Sequence, residues 1–115
     1  YAAHMACLLG GHIIKVKPPT EIIEQKGDTE KAYSKMTDKN IFSKRIAHVV
    51  QSCFNGRRLV VFSGGAGKST DDILAEVKGI KDGGGNGSII GRNTFQRPKA
   101  EALKLLNSII EEYKK

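Results

Sequence analysis

The sequence has no cysteine cluster, no long apolar run and no block of like charge, and each absence narrows what the chain can be. Its 115 residues include two cysteines, Cys7 and Cys53. They are isolated, fall in apolar stretches of helical pattern, and form neither a CxxC nor a Cys/His group with metal-ligand spacing. Nothing here builds a disulfide framework. Two buried, reduced thiols are the expected state, which points to a cytoplasmic protein. His4, His12 and His48 are dispersed, so no metal site is expected from them. No stretch approaches the roughly 18 apolar residues of a membrane span. The first residues lack the charged-then-apolar order of a signal peptide. A formal net charge of +7 and an isoelectric point near 9.5 suit an anionic partner, whether nucleic acid, membrane surface or phosphorylated metabolite. The lysines are scattered along expected helix faces, which argues for a solvated basic surface and against a nucleic-acid patch.

A chain of this length allows one domain, here residues 1–115. The apolar residues Ala2, Ala3, Met5, Ala6, Leu8 and Leu9 have the look of a helix end, stopped by Gly10-Gly11. A strand follows at His12–Lys17, ended by Pro18-Pro19. Residues 18–40 are polar and without period, and are expected to form a long loop or excursion. Phe42, Ile46, Val49, Val50 and Cys53 then recur at helical spacing. A second strand is expected at Arg58–Phe62. Ser69, Thr70 and Asp71 offer N-caps for a helix whose core face is Ile73, Leu74, Val77 and Ile80. Gly83-Gly84-Gly85 stops it, and a third strand follows at Gly87–Ile90. Pro98 suits the first position of a last helix, with Ala102, Leu103, Leu106, Ile109, Ile110 and Tyr113 as its apolar stripe. Alternating short apolar strands and helices predict an α/β fold with parallel strands and helical crossovers.

Three strand ends carry the chemistry. Lys15 and Lys17 stand at i and i+2 and therefore share a face of the first strand with Ile13, while Ile14 and Val16 take the other. A lysine enclosed there beside a second ammonium would have a lowered pKa, and a neutral amine can attack a carbonyl to form a Schiff base. The same pair also fits two solvent-facing lysines at a strand end before Pro18. Ser63-Gly64-Gly65 follows the second strand and precedes a helix. Glycine lets backbone N–H groups close on an anion, and the helix dipole helps; a tight turn is the alternative. Gly91-Arg92 follows the third strand, and Arg92 offers a planar fork for phosphate, or a surface arginine. Gly67-Lys68-Ser69 looks like the end of a P-loop, but Phe62 occupies the position where that motif needs glycine, which excludes a P-loop NTPase.

Taken together, four stretches resemble the C-terminal part of a class I fructose-bisphosphate aldolase of the archaeal/bacterial type. They are His12-Ile13-Ile14-Lys15-Val16-Lys17-Pro18, Ala32-Tyr33-Ser34-Lys35, Val60-Val61-Phe62-Ser63-Gly64-Gly65, and the run from Gly84 through Gly87-Ser88-Ile89-Ile90-Gly91-Arg92-Asn93 to Gln96. The resemblance implies the last three βα units, strands 6–8, of a (β/α)8 TIM barrel. The roughly 250 residues typical of that fold and the helix-interior look of Tyr1-Ala2-Ala3 fit the expectation that this is its C-terminal part. It implies reversible cleavage of fructose 1,6-bisphosphate through a Schiff base on Lys15, with Lys17 in support. Phosphate would be bound by Ser63, Gly64 and Gly65 after strand 7 and by Gly91 and Arg92 after strand 8. It implies no metal, no cofactor, a homo-oligomer, and dependence on strands 1–5 for the acid/base groups, so that the chain alone is expected to be inactive. Two alternatives stay open: a Schiff-base aldolase of the same barrel family acting on a different phosphorylated sugar, and a non-catalytic α/β chain that binds anions.

Overall fold

A computed structural model describes residues 1–35, 38, 40–64 and 67–115. The elements in chain order are α1 (Ala2–Leu8), β1 (Ile13–Val16), α2 (Asp28–Ser34), α3 (Phe42–Ser52), β2 (Leu59–Ser63), α4 (Thr70–Asp82), β3 (Gly87–Ile89), α5 (Arg92–Phe95) and α6 (Lys99–Lys114). The three strands form one parallel sheet in the order β1-β2-β3. Each expected strand is present within a residue or two. The register sets Ile14 beside Val60, Lys15 beside Val61 and Val16 beside Phe62, then Val61 beside Gly87 and Ser63 beside Ile89. Neighbours in a parallel pair share a face, so this register divides the sheet cleanly. Ile14, Val60 and Phe62 lie on the helix side and are buried. Ile13, Leu59 and Ile89 lie on the other side and are 63%, 51% and 45% exposed.

One cluster joins Ala3 and Cys7 of α1, Ile46 and Cys53 of α3 and its end, and the buried strand residues. A second joins Ile73 and Val77 of α4 to Leu105 and Ile109 of α6. Full burial of a side chain of this size is worth about 1.5–3 kcal/mol. Helices α3 and α4 approach closely because Gly79 and Gly83 share a face of α4. A Cβ at Gly83 would lie 2.5 Å from the Ser43 carbonyl oxygen and 2.6 Å from Ile46. Ser69 caps α4, accepting from the Asp72 amide.

Four expectations need correction. Residues 18–40 contain α2, whose seven residues bury nothing; without an apolar face it leaves no periodic signal. The short α5 was likewise not expected. Pro98 is the N-cap of α6 rather than its first residue. The buried stripe of α6 runs through Leu105 and Ile109, whereas Leu103, Leu106 and Ile110 are 51%, 36% and 50% exposed.

The cysteines, distant in sequence, meet in the core. Both are free and buried within one cluster. Burial foremost, then the neighbouring Cys7 thiol, pushes the Cys53 thiol up to about 11. Its thiolate is therefore scarce at neutral pH, and thiolate is the reactive form. Iodoacetamide at pH 8 should leave Cys53 unmodified in the folded protein and label it after denaturation; mass spectrometry reads the difference. Equal labelling in both states would contradict this packing.

Candidate functional site

Parallel strands emit their loops from the same end, so the turns after β1, β2 and β3 stand together. The face that no helix covers carries Ile13, Lys15, Leu59, Val61, Ser63, Gly87 and Ile89, by alternation and register. Lys15 is placed as its spacing predicts: opposite the helix side, in the row with Val61 and Gly87. Lys17 follows β1 toward Pro18. Both lysines are exposed in this chain, contrary to the expectation of a buried pair. The reason is geometric, since a three-stranded sector leaves its inner face open and encloses nothing.

Ser63 ends β2, and its hydroxyl donates to the Val16 carbonyl at 3.5 Å, tying the turns after β1 and β2. Gly64 donates its amide to the Ile89 carbonyl at 3.3 Å. That N–H belongs to the sheet ladder and is not a free donor for an anion. Gly64 does not adopt a positive φ either, and a Cβ there would make only an ordinary contact, 3.8 Å from Asn93 Nδ2. What Gly64 leaves open for an anion is the space where a side chain would stand. Gly65 lies outside the described residues. Gly91 is the N-cap of α5 with φ −98°, and its carbonyl accepts from the Thr94 amide at 2.8 Å. Arg92, the first residue of α5, is exposed. Among the described residues its guanidinium has no hydrogen-bond or ion-pair partner.

Two residues given no role from the sequence knit these loops together. Asn93 is buried, and its Oδ1 accepts from the Lys68 amide at 2.8 Å. Arg97 donates through Nε to the Asn93 carbonyl at 2.7 Å, through Nη1 to Thr70 Oγ1 at 2.8 Å, and through Nη2 to the Lys68 carbonyl at 3.0 Å. The only sequence signals were a polar Asn following a glycine turn and an Arg preceding Pro98. Lys68 of the P-loop decoy pairs its ammonium with Glu76 of α4; it is a loop anchor.

The other titratable groups point elsewhere. Tyr33 of α2 bonds His48 Nε2 of α3 at 2.7 Å. Tyr113 bonds the Ser88 hydroxyl at 2.8 Å on the helix side; burial raises its pKa, and that bond opposes the rise. His4 bonds the Ser52 carbonyl. Among the described residues no three His, Cys, Asp or Glu side chains converge as a metal would need, and no helix is long and apolar enough to cross a membrane.

Comparison with known proteins places this geometry. Residues 1–97 match the model of the DeoC/LacD family aldolases. The chain is 33% identical over 123 aligned positions to a probable fructose-bisphosphate aldolase class 1 of Chlamydia muridarum, covering 97% of this chain and 34% of that protein. It is 34% identical over 113 positions to a fructose-bisphosphate aldolase class 1 of Halobacterium salinarum, again covering 97% and 34%. Its fold superposes on the crystal structure of an archaeal fructose 1,6-bisphosphate aldolase with a TM-score of 0.69 at 29% identity, covering 98% of this chain and 35% of that one. The chain thus spans about a third of the length of the relatives it matches. Its three parallel strands are a sector of that TIM barrel, as expected.

Proposed function

This chain belongs to the DeoC/LacD family of aldolases, and from that premise we propose that it is the strand 6–8 sector of a class I fructose-bisphosphate aldolase. One observation carries the reading: Lys15 stands on the uncovered sheet face, below strand ends whose loops are tied side by side. In the complete barrel that face is the interior, and the remaining strands are the partner that encloses Lys15.

Lys15 Nζ attacks C2 of the open-chain ketose and forms a carbinolamine, which loses water to give an iminium. The C4 hydroxyl gives its proton to a base, C3–C4 breaks, and the bonding pair passes into the iminium. Glyceraldehyde 3-phosphate leaves, and an enamine remains. Protonation at C3 and hydrolysis release dihydroxyacetone phosphate and restore Lys15. The proton-transfer groups belong to the rest of the barrel. We assign one phosphate of the sugar to the loops after β2 and β3, through Ser63, Gly64, Gly65, Gly91 and Arg92. Lys17 supports the anionic substrate electrostatically. No metal or cofactor enters this scheme. Homo-oligomeric assembly and a cytoplasmic location complete the reading.

The family is broader than its fructose-bisphosphate members by name, so another phosphorylated ketose is the competing substrate. Parallel assays of the full-length protein on several ketose bisphosphates, with borohydride trapping, decide between them. A trapped adduct without fructose 1,6-bisphosphate cleavage selects the competitor; no adduct with any ketose removes the Schiff-base reading. Replacing Arg92 by Ala should weaken the bisphosphate by about 1.5–3 kcal/mol, the scale of a hydrogen bond to a charged group. Calorimetric titration checks this, and unchanged affinity would take Arg92 out of the site.

A further inference from the structure

We propose that Arg97 is a positioning residue for the phosphate site: its guanidinium fixes the turn after β2 against the turn after β3, so that both strand ends present one preformed cradle. The inference rests on the reading of this site given above, and Arg97 itself touches no substrate. Its three bonds end on two separate segments. Nε holds the Asn93 carbonyl in α5, while Nη1 and Nη2 hold Thr70 and the Lys68 carbonyl at the start of α4. Asn93 completes the clamp by accepting the Lys68 amide, so Lys68 is held by both its N–H and its C=O. Beyond the strand ends, the bond from Gly64 to Ile89 is the last rung of the ladder. The clamp continues the register where the sheet stops. Only a planar fork reaches three acceptors spread in this way; an ammonium gathers its donors at one point.

Geometry and charge are separable by substitution. In the full-length protein, Arg97→Ala and Arg97→Lys should both raise KM for the phosphorylated ketose about tenfold, with kcat moving less than about threefold, because a displaced cradle weakens phosphate binding more than it alters the reacting atoms. The KM for dihydroxyacetone in the condensation direction, which lacks the phosphate, should move less. Added guanidinium should partly restore the Ala variant and not the Lys variant. Wild-type KM in Arg97→Lys would show that charge alone matters and overturn the proposal. So would an unchanged KM in a folded variant whose only defect is a lower Tm. Should neither variant fold, Thr70→Val removes one acceptor and should raise the same KM by a smaller factor; no rise overturns the proposal. Titration with dihydroxyacetone phosphate keeps the two readings apart. A wild type that binds it without cleaving any ketose bisphosphate overturns the proposed activity, and the Kd of the variants then decides this inference. A wild type that binds none overturns both.

Discussion

Replacing Lys15 by Met in the full-length protein should abolish borohydride trapping of a ketose phosphate and lower turnover by a factor on the order of 10⁴–10⁶, the scale on which loss of a covalent nucleophile acts. Methionine keeps the length and apolar stem of lysine, so the strand should survive. β1 is pinned by Ile14, 3% exposed against the α1 and α3 core, and Lys15 adds nothing to that packing. Lys17 is the natural rival, two residues on toward Pro18. The register separates them: Lys15 lies within the ladder beside Val61, where the backbone is fixed, and Lys17 lies past the end of β1. A nucleophile needs fixed geometry more than proximity to the phosphate. Lys17→Met should therefore still give an adduct, mapped to Lys15 by peptide mass. An adduct on Lys17, or one surviving Lys15→Met, would reverse the assignment.

What the sequence disclosed follows what packing enforces. The strands were legible because Ile14, Val60 and Phe62 are enclosed on the helix side and must be apolar. Lys15 was legible because period 2 fixes its face once Ile14 is known to be inside. The apolar stripe of α6 is legible at Ile109 and Tyr113, which pack on the core, but not at Leu105, because the helix carries apolar residues on two faces. Leu103, Leu106 and Ile110 are as hydrophobic as Leu105, and only contact with Ile73 and Val77 of α4 selects Leu105 beside Ile109 for burial. α2 was missed because Asp28–Ser34 buries no residue. The Arg97 clamp was out of reach for a different reason. It joins one guanidinium to the Thr70 hydroxyl and the Lys68 carbonyl, 27 and 29 positions away, and neither a lone threonine nor a backbone carbonyl marks such a partner in the sequence.

The 115-residue chain purified by itself should cleave no fructose 1,6-bisphosphate above the uncatalysed rate, even though it carries Lys15. Two deficits combine. General acid–base help is typically worth 10²–10⁴-fold, and the described residues of the open face include no carboxylate and no phenol. Tyr33 and Tyr113 are the nearest substitutes in kind, but His48 and Ser88 hold them on the helix side. The second deficit is solvent. Lys15 is exposed here, so nothing excludes water from its ammonium or from an iminium formed on it. The apolar side chains beside it, Ile13, Leu59 and Ile89, are a further liability, since a bare apolar face flanked by two open sheet edges favours association of the isolated chain. A coupled assay on polypeptide of verified mass tests the activity, and light scattering tests the association. Supplying strands 1–5 of a barrel relative as a separate polypeptide should restore cleavage if the two parts dock along β1 and β3. Robust cleavage by the chain alone, lost on Lys15→Met, would instead mean that an acid on the helix side reaches the open face, and the division of labour between this sector and the rest of the barrel would be wrong.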